Sequence, residues 1–216
     1  WWNLSPAFGE IPANARFILD AYGTAQRDLE KLEQFGPALV SASHRVALKV
    51  AQLNVGEMSV TQAVLLPVEP LREGQRYRLA WKKVPKELST PRILAIESGG
   101  KAKAPKPPKW TASPSPLKGV REELGCGPEV FARVELQLDD PTALIRARVV
   151  RKDKVGEFLL PWSEGAPLLV GHGMCAGPFA LTDAPWRLEL SAVDVAGNLT
   201  PAPVPAMPFR NLDPEA

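Results

Sequence analysis

The chain has 216 residues, enough for two domains of roughly 100 residues each or for one large β-domain. Apolar residues make up 45% of it and charged residues 23%, which excludes global disorder and leaves ample material for a packed core. A net charge of +2 argues against a dedicated nucleic-acid binder, and no run of 18 apolar residues is present to cross a membrane as a helix.

Proline, at 23 residues, is about twice its usual share. It interrupts helices and central strands, so its abundance favours short strands, many turns and an extended linker. Trp1-Trp2-Asn3 has neither the charged nor the apolar region of a signal peptide, and this abrupt start reads as the product of processing.

In the first 97 residues, Phe17, Leu19 and Ala21 alternate with Ile18 and Asp20 as in a strand. The stretch 24–35 sets Leu29 and Leu32 among Asp28, Glu30, Lys31 and Glu33. It reads either as a short helix or as a connection with one helical turn. Val46, Leu48 and Val50 alternate with Arg45, Ala47 and Lys49, and Gln62 to Val68 is an apolar run ended by Glu69-Pro70. After turn signals at Pro67, Pro70 and Gly74, Tyr77, Leu79 and Trp81 share one face and Arg76, Arg78 and Lys82 the other. A one-residue slip would expose three large apolar groups, so this register is strongly specified.

Residues 98–116 hold Lys101, Lys103, Lys106 and Lys109, no acid, and many prolines. With Trp110 the sole large apolar residue, burial cannot offset the entropy of ordering, and an extended spacer is expected. Trp110 is the residue able to dock on a domain. From 117 onward the β pattern resumes. Val130, Ala132, Val134, Leu136 and Leu138 alternate with Phe131, Arg133, Glu135 and Gln137, and Ile145, Ala147 and Val149 with Arg146 and Arg148, with Asp139-Asp140-Pro141 as the turn. Glu157 to Trp162 and Pro167 to Val170 are short strand candidates. Trp186 to Pro201 reads as a closing hairpin turning at Asp194 and Gly197-Asn198.

Two of these segments carry a family resemblance. Pro67–Trp81, a P…PL…G..Y.L pattern, together with Ile11-Pro12-Ala13-Asn14-Ala15, resembles bacterial Ig-like domains of surface-layer and other exported proteins. The ending around Leu190, Ala192, Asp194, Ala196, Gly197, Asn198, Thr200 and Pro201 resembles the last hairpin of bacterial Ig-like and fibronectin type III-like modules. The expected fold is therefore all-β: an Ig-like antiparallel β-sandwich over 1–97, a Pro/Lys-rich linker over 98–116, and an Ig-like or fibronectin III-like sandwich over 117–216. The resemblance implies an exported location: periplasmic, outer-membrane-associated or extracellular. In an exported domain, Cys126 and Cys175 are expected to form a disulfide; two free thiols are the alternative in a reducing compartment.

Reactive constellations are sparse. Gly171-His172-Gly173-Met174-Cys175 gathers soft ligands, but a tetrahedral metal site needs four donors, and the other histidine, His44, lies in the other half. Asp139, Asp140, Asp194 and Asn198 supply fewer oxygens than calcium requires and serve as turn formers. Ser41-Ala42-Ser43-His44 lacks the context of a nucleophile with its base, and Glu122-Glu123 are adjacent residues pointing to opposite faces. No enzyme activity, cofactor or metal is assigned. Trp110, Trp162, His172 and Met174 are the candidates for a binding surface, since exposed aromatic residues in loops make sugar or protein contacts. The function expected is adhesion, scaffolding or protein assembly at the cell envelope with protein partners and no nucleic acid. A small-ligand module for carbohydrate or metal is the competing reading, and hydrolase accessory domains a third.

Overall fold

In a computed structural model of the protein, residues 2–5, 9–88, 96–98, 106–140, 143–182, 184–194, 196–210 and 212 are described. The chain is all-β, with 49% of the described residues in strands against 6% in helix. It divides into two compact units. Unit 1 comprises Trp1–Asn54, Thr61–Pro105 and Val195–Gly197; unit 2 comprises Val55–Val60, Lys106–Asp194 and Asn198–Ala216.

Unit 1 is built on β1 (Trp2–Ser5), β2 (Gly9–Ile11), β3 (Phe17–Tyr22), β4 (Ala38–Val40), β5 (Arg45–Val55), β6 (Val60–Pro67), β7 (Arg76–Ala80) and β8 (Ile96–Ser98). They hydrogen-bond in the order β1-β3-β6-β5-β4-β7-β8-β2. Pairing is antiparallel between β1 and β3, β4 and β5, β4 and β7, and β7 and β8, and parallel between β2 and β8. The eleven-residue β5 makes this path possible, because it is long enough to serve β6 on one side and β4 on the other. Residues from both halves of the path meet in one core: Trp2, Leu4, Phe17, Leu19, Ala63 and Leu65 from one side, Leu39 and Tyr77 from the other. Full burial of each such large side chain contributes roughly 1.5–3 kcal/mol. Tyr77 is 1% exposed, and Leu79 and Trp81 pack on the same cluster, so the face set by alternation is the face that is buried.

Stretch 24–35 is helical in short pieces. The single turn α1 (Gln26–Leu29) lies between 3-10 turns at Gly23–Ala25 and Leu32–Phe35. Ala25, Leu29 and Leu32 are each 1% exposed, a spacing of four and three residues that puts them on one helical face. Gly36 ends the stretch in the left-handed region at φ 57°, where a side chain would be strained.

Unit 2 contains β9 (Lys118–Leu124), β10 (Gly127–Val134), β11 (Leu144–Val150), β12 (Val155–Pro161), β13 (Leu168–His172), β14 (Trp186–Val193), β15 (Leu199–Pro201) and β16 (Met207–Phe209). One sheet runs β13-β10-β9 and the other β12-β11-β14-β15, with β16 also on β14; all these pairs are antiparallel. Strand β11 is the clearest two-faced element. Ile145, Ala147 and Val149 are fully buried, while Leu144, Arg146, Arg148 and Val150 on the other face are only half-buried.

Of the segment assigned to a linker, residues 99–105 lie outside the described residues. Lys106–Pro116 is held along 135–139 of unit 2. Lys109 N–H donates to Asp139 Oδ1 at 2.6 Å, Thr111 N–H to Gln137 O at 3.0 Å and Ser115 N–H to Glu135 O at 3.1 Å. Trp110 bridges Leu138, and its indole N–H donates to Thr200 O at 3.1 Å.

The disulfide expected between Cys126 and Cys175 is not formed: both are free thiols at exposed positions. Cys126 is in the turn joining β9 to β10, and Cys175 in the loop after β13. The strands beside them are held by the β9–β10 and β10–β13 ladders, which do not need the cross-link.

Candidate functional site

The four sequence-derived surface candidates all lie in unit 2, His172 and Met174 together at the end of β13. Trp110 is half-buried and committed to Thr200. Trp162, directly after β12, is 7% exposed, and its indole N–H has no partner among the described residues. His172 ends β13 at 6% exposure, with Nδ1 3.0 Å from the carbonyl oxygen of Gly173. A carbonyl only accepts, so Nδ1 carries the hydrogen in this contact. Met174, two residues on, is half-buried. Among the described residues no group of three or more His, Cys, Asp or Glu is placed to hold a metal ion.

Sequence reasoning missed three groupings, because each depends on strand pairing. The first is a chain of amides in unit 1. Gln52 Nε2 donates to Asn54 Oδ1 at 2.8 Å, Asn54 Nδ2 to Gln62 Oε1 at 3.1 Å, and Gln62 Nε2 to Asp20 Oδ1 at 2.8 Å. Gln62 is 1% exposed and Asn54 8%. Burial pushes the Asp20 carboxyl up to about 6, against the opposing effect of the Gln62 hydrogen bond. Burial, followed by the charge of Asp20, pushes the Tyr22 phenol up to about 12.

The second is an ion cluster in unit 2. Glu57 Oε1 lies 2.6 Å from Arg151 Nη1 and 2.8 Å from Lys154 Nζ, while Oε2 accepts the Ala180 N–H at 2.7 Å. Arg151 Nη2 also donates to Ala180 O at 3.0 Å. Burial alone would raise the Glu57 carboxyl; the bonds from Arg151, Lys154 and Ala180 together outweigh it and hold the carboxyl below its ordinary value. With three donors already in place, Glu57 is a structural acid, not an available base.

The third is an open groove of about 370 Å³ in unit 2, where the end of β11, the start of β14 and the end of β16 come together. Pairing sets Val150 opposite Arg187, and Arg187 opposite Pro208. Trp186 and Phe209 are cross-strand partners with ring centroids 5.2 Å apart. Trp186 is 2% exposed and its indole N–H has no partner among the described residues. Four cations line the rim: Arg151, Lys152, Arg187 and Arg210. Arg151 is committed to Glu57, whereas Lys152, Arg187 and Arg210 are exposed and have no ion-pair partner among the described residues. Among the described residues no carboxylate lines the groove.

No family model matches the chain. No curated protein matches it either. Among solved structures, it is similar to a pullulanase type I from Bacillus subtilis complexed with maltose, at 10% identity and a TM-score of 0.26, covering 94% of this chain and 24% of that one. It is also similar to the N-terminal part of the bacterial S-layer protein SbsC, at 10% identity and a TM-score of 0.24, covering 93% of this chain and 42% of that one. The chain thus spans less than half the length of either. Likeness at these scores carries no argument about function.

Proposed function

We propose that the chain is a pair of Ig-like β-sandwiches serving as a non-enzymatic adhesion, scaffolding or assembly element of an exported cell-envelope protein. The observation that carries this reading is the strand order of unit 1. Lettered in Ig fashion, the continuous order β1-β3-β6-β5-β4-β7-β8 reads A-B-E-D followed by C-F-G, the two strand groups of an Ig sandwich, here joined through the β4–β5 pairing. A second hallmark accompanies it. Tyr77, at the start of the strand corresponding to F, accepts the Arg72 N–H on its phenolic oxygen at 2.9 Å, as the tyrosine of an Ig corner does. In unit 2, a three-stranded β13-β10-β9 sheet beside a β12-β11-β14-β15 sheet supports a fibronectin III-like reading of that half.

Export rests on the resemblance of Pro67–Trp81 and of the closing hairpin to modules of exported proteins. Such folds host many functions, so the role has to be read from where the protein sits and what it holds. The test is fractionation of cells making the natural full-length protein, followed by protease treatment of intact cells and cross-linking. Recovery in the envelope or extracellular fraction with a cross-linked protein partner is the expected result. Confinement to the cytosol would overturn export, and turnover of a substrate by the purified chain would overturn the non-enzymatic role.

A further inference from the structure

We propose that the groove between the end of β11, the start of β14 and the end of β16 binds a carboxylated saccharide. This inference stands apart from the export reading and needs only unit 2. Its volume, about 370 Å³, falls within the range of small-ligand sites. Its chemistry has two parts. The floor is apolar: Pro208 is exposed and Val150 half-buried, and pairing puts both on the sheet face of Arg187. The rim is cationic: Lys152, Arg187 and Arg210 come from three different segments, and no described carboxylate answers them.

Exposed cations without partners that gather on one apolar surface repel each other and gain little from packing. A ligand anion removes the repulsion. Guanidinium groups match a carboxylate with two parallel hydrogen bonds, and two of the three uncommitted cations are arginines. The weakly polar C–H face of a pyranose ring packs against proline and valine by dispersion, with little ordering cost because those side chains are short and stiff. A bare phosphate or sulfate would use the rim and leave the floor in water. A neutral sugar would use the floor and leave the rim unpaired.

Nucleic acid fits less well. Residues 117–216 carry 10 basic and 14 acidic side chains, so the groove is a positive spot in acidic surroundings. A long phosphate backbone needs an extended basic track and would be repelled on leaving the groove, whereas a short acidic saccharide would not. Trp186, at 2% exposure, has no free face on which a base could stack.

The test uses the whole chain and calorimetric titration with a short oligogalacturonate, a maltooligosaccharide of equal length, and single-stranded oligo-dT. The variant Arg187→Ala/Arg210→Ala removes the paired rim. Arg121→Ala/Arg133→Ala removes the same charge from β9 and β10 and serves as the control, with melting curves confirming that both fold. Salt-sensitive binding of oligogalacturonate is expected, weakened about tenfold or more in the rim variant and unchanged in the control. Three results would overturn the proposal: no binding of oligogalacturonate, equal weakening in both variants, or tighter binding of either the neutral sugar or oligo-dT.

Discussion

Two carboxylates show how strand pairing gives opposite tasks to the same functional group. Asp20 is desolvated and, among the described residues, receives an amide hydrogen bond but no cation, so its charged form is disfavoured and its pKa rises from 3.8 to about 6. Its folded value lies above its unfolded one, so the folded state holds the proton more tightly. Stability therefore declines as pH rises from 3.8 through 6 and is level above that. Asp20→Asn keeps an acceptor for Gln62 and has no charge to bury. It should stabilise the protein by about 1–2 kcal/mol at pH 7.5 and by nothing measurable at pH 4. Denaturant melts at the two pH values would show it, and a variant destabilised at both would refute the account. Glu57 is the converse case, held below its ordinary value of 4.5 by two cations and a backbone N–H. Its contribution is fully present above the unfolded value and is lost as pH falls through the lower folded value. Glu57→Ala leaves Arg151, a mostly buried cation, without its acid. The expected loss at pH 7 is about 2–4 kcal/mol, reduced for the exposed Lys154, and the difference from the parent should shrink towards pH 3 in the same melts.

At the scale of elements, corners and close crossings make the tests. Tyr77 both fills the core and accepts the Arg72 N–H. Tyr77→Phe removes only the hydrogen bond and should cost about 1 kcal/mol, while Tyr77→Ala also opens a cavity and should cost about 3–5 kcal/mol. A Tyr77→Phe variant as stable as the parent in chemical unfolding would mean that the corner bond is worth nothing. Gly119 on β9 is needed for a different reason. A Cβ there would lie 2.5 Å from the carbonyl carbon of Leu212 and 2.6 Å from its Cα, backbone atoms that cannot step aside as a side-chain end can. Gly119→Ala should cost about 1–3 kcal/mol and speed proteolytic trimming of the C-terminal segment; an unchanged melt and digestion pattern would show that Leu212 does not sit there. Elements with strong alternation were legible in advance: β5 through Val46 and Leu48, β7 through Tyr77, β11 through Ile145, Ala147 and Val149. The three-residue strands β2, β4, β8 and β16 were not, because a strand that short has too few residues to establish a period, and neighbouring strands define it.

For the whole chain, fold class follows from local patterns, whereas sites depend on pairing between distant segments. Alternation and proline-rich turns point to β-structure throughout, and the strands bear that out. The groove unites residues near 151, 187 and 209, and the amide chain unites Asp20 with Asn54 and Gln62. Nothing in the spacing of those residues brings them together; the ladders β11–β14, β14–β16 and the β3-β6-β5 order do. The cysteines show the limit of the opposite inference, from residue count and compartment to a bond. An even pair suggested a cross-link, yet Cys126 and Cys175 are free and exposed. The difference is measurable. A bridge between them would close a loop of about 50 residues and stabilise by roughly 4 kcal/mol through the unfolded ensemble. Free thiols predict that a reductant leaves the melting temperature unchanged. They also predict that a thiol reagent titrates two groups per chain without denaturant, since both side chains are open to solvent. A melting temperature that falls on reduction, with no thiol reactive beforehand, would show that the pair is oxidised in the protein as isolated.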